Sequence, residues 1–177
     1  MLGGEGHGVF PTGFVVGARG GAVLGPSSAG PSGYDAKFSG GFGMVDFGYA
    51  FIHTAPMLLS LTAGFGGWGM GLDLSNGQSA PFDAVLANPK SGAGMSKGGL
   101  LAGITLSFDG RVTISTDKRG RRAFMTIGAR LSALYGPSLG SWDLAQGGEA
   151  TSGPSFGLTG GFAALAIGFG GGRTRAP

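Results

Sequence analysis

From Leu100 to Thr116 the chain reads LLAGITLSFDGRVTIST, and an apolar/polar alternation runs through it without a break. One face carries Leu100, Ala102, Ile104, Leu106, Phe108, Gly110, Val112 and Ile114. The other carries Leu101, Gly103, Thr105, Ser107, Asp109, Arg111, Thr113 and Ser115. Asp109-Gly110 taken alone is a strong hairpin signal. A two-residue loop there would set Phe108 opposite Arg111 and Leu106 opposite Thr113, mixing apolar and polar side chains on both faces. A straight strand keeps the two faces distinct, so the turn is expected at Asp117-Lys118-Arg119-Gly120-Arg121 instead. Such a strand has about 16 residues, where globular strands usually have about 5 or 6. One apolar and one small-polar face suit a bilayer, which a tilted strand crosses in about 9 to 11 residues.

The remaining chain fits a surface of that kind. At 177 residues it reads as one domain, and charged residues make up only 12 % of it, roughly half the usual share. Glycine contributes 41 residues without a collagen-like period, and it falls inside alternating runs where it weakens ordinary strands. There are no cysteines, hence no disulfide framework and no thiolate metal site. The net charge of +3 is concentrated in DKRGRR, residues 117 to 122, and in the RTR tail, residues 173 to 175. A turn and a tail do not form the basic stripe interleaved with aromatics that a nucleic-acid partner needs. The opening MLGGEGHGVF lacks a signal peptide's basic and apolar regions. An exported protein would therefore be numbered from after processing or begin further upstream.

Six segments keep period 2: residues 12–25, 36–52, 57–74, about 100–116, 123–136 and 155–170. The last is apolar on both faces, so its inward side is open. The connections alternate long and short, at 26–35, 53–56, 75–97, 117–121 and 138–152. That is the loop-and-turn rhythm of an up-and-down barrel in an outer membrane.

These Gly- and aromatic-rich alternating strands, their turn rhythm and the girdle candidates Tyr49, Phe51, Trp68 and Tyr135 resemble the small outer-membrane β-barrel superfamily over about residues 12–170. The likeness is one of pattern, with no family-specific motif. It implies an all-β, up-and-down antiparallel transmembrane β-barrel in the bacterial outer membrane, with membrane lipids as partners. Six strands are legible and about eight are expected. Residues 1–11 would be an N-terminal extension or partial strand, 12–172 the barrel and 173–177 a basic tail. Two departures stand out: members commonly finish on a terminal aromatic residue, whereas Phe169 is followed by GGGRTRAP, and six strands are too few.

On this register Arg19, Asp46, Asp109, Arg111 and Arg130 point inward. Their opposite signs predict paired clusters that plug the lumen; a narrow pore or proton path is the competing reading. Lys118, Arg119, Arg121, Arg122, Arg173 and Arg175 fall on one side of the barrel, where they could contact anionic headgroups or remain a solvated basic turn. Loop 75–97 offers a surface to an external partner, and PFDAVLAN within it reads as a short helix.

No enzyme, cofactor or metal site follows. GFGGWG, residues 64–69, matches a dinucleotide fingerprint literally but lies inside a strand with no helix after it. GPSLG and GPSFG match a nucleophile elbow, yet His7 and His53 both precede those serines, against the order that fold requires. His53 reads as a turn residue. The function expected is structural, adhesive or surface interaction. The alternatives are a soluble β-barrel or sandwich binding an apolar ligand, a narrow pore, and a helical membrane protein spanning 153–172.

Overall fold

The computed structural model describes residues 2–25, 28–29, 34–76, 92–117, 121–145, 147–150 and 157–173. Strands and turns account for these, with no helix among them. The strands are β1 (Leu2–Val9), β2 (Phe14–Leu24), β3 (Ser28–Ala29), β4 (Tyr34–His53), β5 (Met57–Asn76), β6 (Gly92–Thr116), β7 (Arg121–Tyr135), β8 (Leu139–Leu144), β9 (Glu149–Ala150) and β10 (Gly160–Arg173). They form one antiparallel up-and-down sheet in the order β1-β2-β4-β5-β6-β7-β10, with the short β3, β8 and β9 added at its rim.

β6 runs straight through Asp109-Gly110: Asp109 pairs with Leu58 and Gly128, and Gly110 with Met57 and Ile127. The chain turns at the expected place, where the Asp117 N–H donates to the Arg121 carbonyl at 2.8 Å. Tight turns also follow Val9 and His53. In the first, Gly13 takes φ +87° and donates to the Phe10 carbonyl, a conformation that costs glycine little. All three tight turns lie at one end of the sheet, the turn end, and the longer connections lie at the other, the loop end.

Inward side chains from distant strands meet, so the sheet curls on itself. Arg19 of β2 bonds to Thr105 of β6 and Ser132 of β7, and Glu5 of β1 bonds to Arg130 of β7. Among the described residues no ladder joins β1 to β10. Both edge strands run from loop end to turn end, as seven alternating strands require, so a seam separates two edges of the same direction.

The structure differs from the sequence reading in four places. Residues 2–9, expected as an extension or partial strand, form a full strand of 8 residues on β2; its outward positions Gly4, Gly6 and Gly8 carry no apolar signal. β5 reaches Asn76 and β6 begins at Gly92, which shortens the expected loop 75–97, because GAGMSKGG has too little contrast between its faces to read as a strand. The expected loop 138–152 contains β8, which pairs with β6 beyond the end of β7. The apolar stretch proposed as a helical span carries β10, paired with β7 from Gly160 to Arg173. PFDAVLAN lies outside the described residues.

Candidate functional site

The outer surface is built from the alternating faces. Outward on β4 stand Val45, Phe47, Tyr49 and Phe51; on β5 Met57, Leu59, Leu61, Ala63 and Phe65; and on β6 the even residues from Leu100 to Ile114. β7 and β10 continue with Ile127, Ala129, Leu131 and Tyr135, and with Leu165, Ile167 and Phe169. Apart from the tyrosine hydroxyls, no polar side chain interrupts this belt. Cross-strand rows such as Leu61–Leu106–Leu131 are exposed by 41 to 61 %, and Phe47 and Phe65 stack with centroids 6.2 Å apart.

The inner surface is the reverse. Asp46, Ser60, Thr62, Thr105, Ser107, Asp109, Arg130 and Ser132 are all buried. Arg19 Nη1 donates to Thr105 Oγ1 and to Ser132 Oγ, the latter at 3.1 Å, and Arg19 Nη2 lies 3.2 Å from Asp46 Oδ1. Arg130 Nε donates to Glu5 Oε1 at 2.7 Å while its Nη2 reaches Asp109 Oδ1 at 2.8 Å. His7 Nε2 stands 3.8 Å from Asp109 Oδ2. Arg111 covers the Phe124 ring at 5.1 Å. Glu5, Asp46 and Asp109 thus face the two guanidiniums of Arg19 and Arg130, an arrangement that lowers the cost of holding charge away from water; Arg111, expected in the same cluster, meets the Phe124 ring instead. A cavity of about 30 Å³ beside Arg19 and Asp46 has room for about two water molecules.

Glycine makes the crowding possible. A Cβ at Gly128 would collide with Asp109 Oδ1 and Arg130 Nη1, and one at Gly64 with Asp46 Oδ1. Apolar clusters flank the polar layer: Met44, Trp68, Leu101 and Leu134 toward the loop end, and Val15, Ala50 and Leu58 with Val9 on the β1, β2, β4 and β5 side of the turn end. β4 shows the order Met44, Asp46, Ala50, and β5 the order Leu58, Ser60, Thr62, Trp68.

The structure brings Arg19 to Asp46 and Arg130 to Asp109, and it adds Glu5 and His7, which sequence reasoning missed. The signal was the shared parity of Glu5, His7 and Val9, obscured by an opposite face made of glycine. Of the girdle candidates, Tyr49, Phe51 and Tyr135 are outward and at least half exposed, whereas Trp68 is 6 % exposed and inside. Trp68 shares its parity with Ser60, Thr62, Gly64 and Gly66, and that parity faces the lumen. Arg121 is exposed and Arg122 half-buried at the turn end, and Arg173 pairs with Arg121. Lys118, Arg119 and Arg175 lie outside the described residues. His53 ends β4 on the surface. No three His, Asp or Glu side chains among the described residues are placed to hold a metal.

No protein family, curated protein or solved structure matches the chain.

Proposed function

We propose that the chain is a small outer-membrane β-barrel protein of a bacterium with a structural, adhesive or surface-interaction role, its lumen plugged by paired charges. One observation carries this reading: the molecule is partitioned inside out, with charges and hydroxyls buried and an uninterrupted apolar belt outside. In water that belt would expose far more contiguous apolar surface than monomeric soluble proteins tolerate; against lipid it is the favoured arrangement. A soluble barrel for an apolar ligand would need an apolar interior, and the polar middle layer here speaks against it. A narrow pore is the second alternative, and the apolar cluster toward the loop end speaks against it by interrupting the polar layer.

The deciding experiment compares heated and unheated samples of detergent-refolded protein on a denaturing gel. A heat-dependent shift in mobility with a β-type circular dichroism spectrum is expected of a closed, detergent-stable barrel. Equal mobility, with protein that folds in water without detergent, would sink the proposal.

A further inference from the structure

We infer that the seam between β1 and β10 is a strand-binding site: it accepts one extended segment of another polypeptide, running from the turn end to the loop end. This rests on the membrane reading above. Among the described residues the outer edges of β1 and β10 carry no ladder, and every second residue of such an edge directs its N–H and C=O away from the sheet. In hydrocarbon those groups must find partners. Neither strand carries the lysine, proline or bulge that keeps an edge from pairing, and the inward carboxylate of β1, Glu5, is taken up by Arg130.

The geometry limits what the seam can hold. β1 and β10 do not lie side by side, yet Arg130, the ladder partner of Ala164 on β10, reaches Glu5 on β1. With neighbouring strands about 4.8 Å apart, a gap bridged by two side chains holds one strand and not two. Both edges run from loop end to turn end, so a strand running the other way is antiparallel to each. A second copy inserted the same way up offers only the same two edges, both of the wrong direction, and its strands of the needed direction, β2, β5 and β7, are already paired on both sides. The occupant is therefore a free segment of a different protein.

The flanking side chains select its composition. Leu165, Ile167 and Phe169 carry the apolar belt to the edge of β10, all strongly exposed, but across the seam β1 presents Gly4, Gly6 and Gly8. A Cβ at Gly4 or Gly6 would meet nothing within 4 Å. Large apolar residues at alternate positions of an incoming strand would continue the belt over that bare backbone. On the inner side the Glu5–Arg130 pair passes beneath the seam and β10 contributes Ala164, Ala166 and Gly168, so the other positions must be small. Backbone bonds then supply the affinity and the alternate side chains the specificity.

The chain has no cysteine, which makes disulfide capture unambiguous. The probe is a synthetic peptide of about 10 residues that alternates leucine with alanine and carries one terminal cysteine, offered to single-cysteine variants of the detergent-refolded barrel. Gly4 and Ala163 lie toward the loop end of the two edges, Gly8 and Phe169 toward the turn end. A peptide with its cysteine at the amino end should link Gly8→Cys and Phe169→Cys several-fold faster than Gly4→Cys and Ala163→Cys, and one with its cysteine at the carboxyl end should reverse the preference. Capture without preference, or no capture by a barrel that still shows the heat-dependent gel shift, would overturn the inference while leaving the membrane reading intact. So would a disulfide formed without peptide in the double variant Gly4→Cys, Ala163→Cys, because β1 and β10 would then close on each other directly. Protein that folds in water and shows no gel shift would remove the membrane reading, and this inference with it.

Discussion

Arg130 joins three strands through one guanidinium: its own β7, β6 through Asp109 and β1 through Glu5. Removing one partner of a buried ionic group leaves the others uncompensated, at a cost of about 3 to 5 kcal/mol. Arg130→Met is therefore expected to destabilise the folded protein by about that amount in urea titrations with lipid present. Because Glu5 and Asp109 share the same cation, the loss from Arg130→Met combined with Glu5→Gln should fall well short of the sum of the two single losses. Gly128→Ala tests the same cluster from the steric side, with an expected cost of about 1 to 3 kcal/mol. The sequence revealed the inward parity of Arg130 and Asp109 because their neighbours alternate strongly. It concealed Glu5 because Gly4 and Gly6 present nothing against which alternation can be read.

Among the elements, β6 is the most informative. Its outward row changes character along its length, from Ser96 and Gly98 near the loop end to Leu106 and Phe108 lower down. If lipid surrounds the lower part, the cost of a charge must depend on height rather than on local packing alone. Leu106→Arg should cost about 2 to 4 kcal/mol and Ser96→Arg about 0 to 1 kcal/mol in reversible unfolding from bilayers. Equal costs at the two positions would contradict a membrane-facing belt. The course of β6 through Asp109-Gly110 was legible because a hairpin there would scramble both faces. Its start was not, because residues 92–99 are mostly small and satisfy several registers.

At the scale of the molecule, the three layers of the lumen matter more than any single pair. Ions crossing it would have to leave the polar layer and pass Met44, Trp68, Leu101 and Leu134 toward the loop end. Protein reconstituted in a planar bilayer is accordingly expected to show no discrete conductance steps; a steady single-channel current would contradict the plugged lumen. The layers could not be read in advance, since they arise from the stagger between strands, which no single strand's alternation specifies. From β2 onward the strand rhythm was legible, because there the alternating residues give way to turn-forming ones where the chain reverses.

β4, β5 and β6 are 20, 20 and 25 residues long, and their outward apolar rows stop near Val45, Phe65 and Leu100. Beyond those points about 10 residues of each strand remain, or about 30 Å along the chain at about 3.3 Å per residue. β7, by contrast, ends at Tyr135 with the apolar row itself. The rim is therefore cut on a slant, with a three-strand wall on one side that lifts the loops away from the belt. A pull on the connection between β5 and β6 would draw both strands the same way along their length, loading the β4–β5 and β6–β7 ladders in shear across their perpendicular hydrogen bonds instead of peeling them bond by bond. The side with the farthest reach is thus also the one with the longest ladders to resist force.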